Sequence, residues 1–98
     1  MKIKILNEAV QDIENGMFFY ESQKENLGNF FLDTIFSDIE SLHIYAGVHT
    51  KISSFYRLLS KRFPFAIYYK IENNLILIYA VLDCRQNPSW INNKLGKK

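Results

Sequence analysis

Apolar and polar positions alternate in "KIKIL" (Lys2–Leu6), placing Ile3 and Ile5 on one side of a short strand. The period then changes. Asn7 offers a side-chain oxygen to cap a helix, and the acids Glu8 and Asp12 suit that helix's positive end. Val10, Ile13, Met17 and Tyr20 recur at spacings of three and four, as on one face of an amphipathic helix. "NLGN" (Asn26–Asn29) interrupts the pattern, with Gly28 free to take a conformation other residues avoid. Leu27, Phe31, Ile35, Ile39 and Leu42 resume helical spacing, and so short a connection folds the two helices back as an antiparallel hairpin.

The second half reads as strands. "FYRLLS" (Phe55–Ser60) alternates loosely, while "FPFAIYYKI" (Phe63–Ile71) and "LILIYAVL" (Leu75–Leu82) are almost wholly apolar. Glu72–Asn74 between the last two is a short turn whose asparagines tolerate positive φ, so these strands form a central hairpin. Pro64 has no ladder donor and belongs at the start of its strand. Asn87–Pro88 opens a short terminal helix, with Pro at the favoured first position, before a frayed basic tail. The expected architecture is α+β, in the order β-α-α-β-β-β plus a C-terminal helix. The helix hairpin covers one face of a small, mainly antiparallel sheet. The other face is left to water, a partner or the C-terminal segment. Phe18, Phe19, Tyr20, Phe30, Phe31 and Phe36 fall at helical spacing, as core rather than as a base-stacking platform.

Ninety-eight residues make one domain, 1–98, with a single modest core. No run approaches the roughly 18 consecutive apolar residues a membrane helix needs, and "MKIKILNEAV" lacks a signal-peptide core. With Cys84 alone, no internal disulfide can form, and the cytosol is the default compartment. The net charge of +2 hides an asymmetry: residues 1–50 carry three bases and eight acids, whereas residues 51–98 carry nine bases and two acids. Such a division suggests an acidic and a basic face, the basic one suited to nucleic acid or an acidic protein segment.

The chemistry-bearing residues are few. Arg57, Lys61, Arg62 and Arg85 sit near strand ends, where they gather into one basic rim or stand as solvated gatekeepers. Trp90 either pins the terminal segment to the sheet, the favoured reading, or anchors a partner. His43 and His49 have no Cys, Asp or Glu at ligand spacing, so a metal site is not expected. Cys84 lies beside Arg85, whose charge would lower the thiol pKa, but a lone thiol at a strand end reads first as packing.

The stretches "AVQDIENGMFFYESQ", "LGNFFLDTIFSDIESL" and "KRFPFAIYYKIENNLILIYAVLDCRQNP" resemble the RelE/ParE superfamily of bacterial toxin–antitoxin toxins, over nearly the whole chain. The resemblance implies a compact toxin that needs no cofactor and is neutralised by a cognate antitoxin. It implies one of two targets. RelE-like members cleave messenger RNA in the ribosomal A site, and ParE-like members poison DNA gyrase by binding it. For metal-free RNA cleavage the resemblance implies a cluster of lysines and arginines on the sheet. Here Phe65 falls where a strand arginine is expected, Tyr56 and Leu58 where lysines are expected, and Asp83 where a histidine is expected. Only Arg85 and Pro88 fit. The ParE-like branch is therefore favoured, with Arg57, Lys61, Arg62, Arg85 and Trp90 as the surface for target or antitoxin. An endoribonuclease using Arg85 with Arg57 or Lys61, and a harmless member that only binds antitoxin, are the alternatives. A homodimer and a toxin–antitoxin hetero-oligomer both suit the resemblance.

Overall fold

A computed structural model describes residues 1–96. The basic tail expected after the terminal helix falls on Lys97 and Lys98, outside the described residues. The elements run β1 (Lys2–Ile5), α1 (Asn7–Gln23), α2 (Leu27–Glu40), α3 (Leu42–Tyr45), β2 (Lys51–Ile52), β3 (Phe55–Leu59), β4 (Phe65–Glu72), β5 (Leu75–Asp83) and α4 (Pro88–Gly96). They form one five-stranded sheet in the order β1-β5-β4-β3-β2.

The α+β expectation and its element order hold, with two short additions. α3 is a single turn, and β2 is a two-residue strand pairing Lys51 with Tyr56 and Ile52 with Phe55. Neither is long enough to show a period in sequence. β4 and β5 are joined by Asn73 and Asn74, both with positive φ (51° and 63°), between the paired residues Glu72 and Leu75. Two successive left-handed residues make a type I′ turn, whose twist matches that of the strands it joins. β1 joins the far edge parallel to β5, from Lys2 against Leu75 to Ile5 against Ile78.

Register slips by one between Tyr68 and Tyr69, with Tyr68 opposite Ala80 and Tyr69 opposite Ile78. The extra residue, Tyr79, is a bulge, and it moves the buried set of β5 from the even positions Ile76 and Ile78 to Val81 on the same face. That face carries the helix hairpin, packing Ile13, Tyr20, Phe31, Ile35 and Ile39 against Phe65, Ile67 and Tyr69. The opposite face carries Phe55, Ala66, Tyr68, Ala80 and Leu82 beneath Leu95 of α4. The C-terminal segment thus closes the second face.

The hairpin is antiparallel: Gly28 of α2 abuts Met17 and Glu21 of α1, while Phe31, one turn on, abuts Gly16 and Tyr20. Several local expectations are corrected. Asn7 is the first helical residue rather than the cap. Leu6 holds the cap position without a side-chain bond. Val10 is exposed, and Ala9 takes its place in the core. At the helix junction the left-handed residue is Asn26 (φ 70°), not Gly28. Gly28 is needed for space, since a Cβ there would lie 2.8 Å from the Met17 carbonyl oxygen. The Glu21 carboxylate closes this junction, accepting the N–H groups of Asn26 (3.0 Å) and Gly28 (2.9 Å). It satisfies two of the donors that a helix start leaves open. Of the six helical aromatics read as core, only Tyr20 and Phe31 are buried. Phe18, Phe19, Phe30 and Phe36 are 44–61% exposed.

Candidate functional site

Arg57, Lys61, Arg62 and Arg85 occupy three different places. Arg85 follows the end of β5, and its guanidinium is held by Asp83 at two points, Nε to Oδ1 (3.0 Å) and Nη2 to Oδ2 (2.7 Å). The same carboxylate accepts the Arg85 backbone N–H at 2.8 Å. This tight two-residue loop follows from Asp83 being the last residue of the strand, where the chain turns back past its side chain. The Arg85 hydrogen bonds hold the Asp83 carboxyl below its usual range and push the guanidinium further up. Arg85 therefore presents a compensated ion pair rather than a free cation.

Arg57 lies on the other face of the sheet. It sits opposite Tyr68 in the β3–β4 ladder, and its Nε is buried with no hydrogen-bond partner among the described residues. Burial raises the pKa of Tyr68, and the Arg57 charge opposes that rise. Cys84 behaves likewise: burial pushes its thiol up, and the cation that opposes this is Arg57. Arg85 does not lower the thiol, because it is turned to Asp83 and desolvation dominates. Lys61 and Arg62 lie in the β3–β4 loop, beside Asp33, Thr34 and Asp38 of α2. Arg62 stacks over Phe30, 5.8 Å from the ring centre. Nearby, buried Asp38 accepts the Ser60 hydroxyl at 2.7 Å. The single basic rim is thus split between the face under α4, the flank of α2 and the end of β5.

Phe65, at the position of the missing strand arginine, packs among Tyr20 and Phe31. It is a core residue facing the hairpin. Trp90 does not pin α4: it is 38% exposed with the Lys94 ammonium over its ring at 5.3 Å. Leu95, 6% exposed, and the partly buried Ile91 make the attachment instead. Trp90 lines a cleft of about 500 Å3 between α1, the end of β5 and α4, with Asp12, Phe19, Asp83, Arg85 and Lys94. Sequence reasoning missed Asp12 and Phe19, because only the fold brings α1 beside residues near 83.

Of the two histidines, His43 is exposed beside Glu40 at 3.6 Å. His49 is bound to the Tyr69 hydroxyl through Nδ1, and that hydroxyl also accepts the Gly47 N–H at 2.9 Å. The His49 tautomer decides which of the two groups donates, and burial keeps the imidazole pKa below its ordinary value. This pairing pins residues 47–49 onto the sheet. Among the described residues no His, Cys, Asp and Glu group could hold a metal ion, and no helix is long and apolar enough to cross a membrane.

Searches of protein-family models and of curated proteins give no match to this sequence. A solved structure does match: a chain of the "Chromosomal ParDE TA system from P. aeruginosa", with a TM-score of 0.69 at 17% identity. The superposition covers 83% of this chain and 92% of that one. The two share a fold: an N-terminal strand, a helix hairpin, an antiparallel sheet and a short C-terminal helix.

Proposed function

We propose that this protein, which has the fold of a RelE/ParE-like toxin, is the toxin of a type II toxin–antitoxin pair. In this reading it works in the bacterial cytoplasm and arrests growth by binding DNA gyrase, until a cognate antitoxin neutralises it. The observation that carries the reading is the near-complete fold match to a ParDE chain. The dispersal of the cations supports the gyrase branch: Arg57 lies on the face under α4, Lys61 lies beside α2, and Arg85 is already paired with Asp83 at the end of β5. Cleavage of RNA without metal needs converging cations to stabilise charge developing on phosphorus. Inhibition by binding needs only surface. Plasmid stabilisation is the physiological role that such a pair would serve.

The test incubates purified protein with gyrase, supercoiled plasmid and ATP, then denatures the mixture and looks for linear DNA. Accumulation of linear product supports the proposal. Unimpaired supercoiling at excess protein sinks it.

One observation favours a second reading. Arg57, with its unpartnered Nε beside Tyr68, could assist ribosome-dependent cleavage of messenger RNA once α4 is displaced. Cleavage at defined codon positions, lost in Arg57→Ala and Arg85→Ala, would establish it. Harmless expression in the absence of any antitoxin would leave a member that only binds antitoxin.

A further inference from the structure

The segment joining α3 to β2 carries the most exposed large hydrophobic side chains of the described residues. Ile44 is 78% exposed and Val48 72%, with Tyr45 at 54% between them. A loose loop does not account for this. Leu42, at the start of α3, is fully buried, and Ala46 packs against the same core. The Ser41 carbonyl accepts the N–H groups of Ile44 (3.1 Å) and Tyr45 (3.0 Å), and the Leu42 carbonyl accepts that of Ala46 (3.1 Å). Gly47 then takes φ 91°, a conformation open to glycine, and Val48 donates back to the Tyr45 carbonyl at 3.2 Å.

The sheet holds this turn. Tyr69, fully buried on the hairpin side of β4, accepts the Gly47 N–H at 2.9 Å and is bonded to Nδ1 of His49. Leu42 and Ala46 thus point inward, while Ile44, Tyr45 and Val48 stand outward on a fixed backbone. Exposed apolar side chains give a lone chain no hydrophobic stabilisation. Holding them in one place lowers the ordering entropy that a partner contact costs.

The surroundings of the knob narrow the partner. From Ile44 to Thr50 there is no acid, lysine or arginine. The flanking charges are Glu40, beside His43 at 3.6 Å, and Lys51, whose ammonium sits over the Tyr56 ring at 4.9 Å. A charged, disordered segment therefore finds little to pair with, and protruding side chains offer it no groove. A second copy presents the same convex surface, so two knobs meet only at their tips. Even an aromatic side chain buries only about 150–250 Å2, and three fall short of the roughly 800 Å2 per partner of a specific interface. A folded protein with an apolar socket covers the knob and brings the surrounding surface into contact as well.

We infer that Ile44, Tyr45 and Val48 form a rigid knob that seats in an uncharged apolar socket on the protein this chain inhibits, as the central anchor of that contact. The inference rests on the proposed function, which makes that protein DNA gyrase. The knob includes none of Arg57, Lys61, Arg62, Arg85 and Trp90.

The test puts the photoreactive residue p-benzoylphenylalanine in place of Val48 or, as a control, in place of exposed Phe18. Each protein is irradiated with gyrase, supercoiled plasmid and ATP. The expected result is a covalent adduct with a gyrase subunit from position 48 and none from position 18. In the linear-DNA assay, the amount of protein giving half the maximal product should rise about tenfold or more when Ile44→Ser and Val48→Ser are combined, at an unchanged urea midpoint. If wild type makes linear product and the double variant makes as much at the same concentrations, the knob is overturned while the gyrase reading stands. If wild type makes none, the gyrase reading falls and the inference falls with it. An adduct of the chain with itself from position 48 would overturn it by showing a second copy as the occupant. Equal gyrase adducts from both positions would overturn it by showing no preferred face.

Discussion

Asp83 holds Arg85 two residues along the chain by the Nε–Nη2 edge of its guanidinium and by the backbone N–H. The acid at the strand end is thus spent on the arginine that follows it. Because the pairing depresses the Asp83 pKa in the folded state, it contributes stability above the unfolded carboxyl value of about 3.9, lost as pH falls through the folded value. Asp83→Asn should flatten the fall in stability on acidification below about pH 4, read from urea midpoints. An unchanged acid limb would mean the pair is solvent-screened to nothing.

Tyr69 and His49 titrate in a different window. His49 is held neutral with a lowered pKa, so its contribution is present above about pH 6.5, the unfolded value, and is lost as pH falls through the lower folded one. Tyr69→Phe removes the acceptor of the Gly47 N–H as well as the hydroxyl bonded to His49, and should cost about 1–3 kcal/mol at pH 7.5. The penalty should shrink as pH falls below about 6.5 through the lower folded His49 value. A penalty that stays constant on acidification would show that His49 plays no part.

Gly16 leaves room on α1 for the Phe31 ring of α2. A Cβ there would lie 2.5 Å from Cζ of Phe31, a fully buried ring. Gly16→Ala should destabilise by about 1–3 kcal/mol through overpacking, despite alanine's advantage of up to about 1 kcal/mol in a helix. Pairing it with Phe31→Leu should recover part of the loss. Equilibrium denaturation of the two single variants and the double variant measures this coupling.

α4 is attached by Leu95 rather than by Trp90. Leu95→Ala should cost about 2 kcal/mol and shift Trp90 fluorescence to the red as the helix lifts. Trp90→Ala should cost less than half as much. Equal penalties would return the pinning role to the tryptophan.

What was legible in the sequence was local. The asparagine pair at 73–74 and the Asn87–Pro88 helix start carry their geometry in their own residue types, and both stand as read. Asn87 caps α4 by accepting the Ser89 N–H through its side chain (2.8 Å) and the Ile91 N–H through its carbonyl (3.1 Å). Two long apolar runs suffice to predict the central hairpin. The bulge at Tyr79, the parallel seat of β1 and the bond from Asp12 to Val81 depend on residues far apart in the chain, and no local pattern encodes them. The same holds for the cations. Arg57 and Arg85 look alike in sequence, yet alternation along β3 and the Asp83 loop send them to different surroundings.

The parallel seat of β1 also sets an order in time. Ile3 is made well before its partner Ile76, which follows roughly four to fifteen seconds later at about 5–20 residues per second. During that interval the N-terminal strand has no place to pair. The helix hairpin, built from near neighbours, can form first, and the sheet closes last around β5. A nascent chain released before residue 76 therefore cannot complete this fold, however well its helices form.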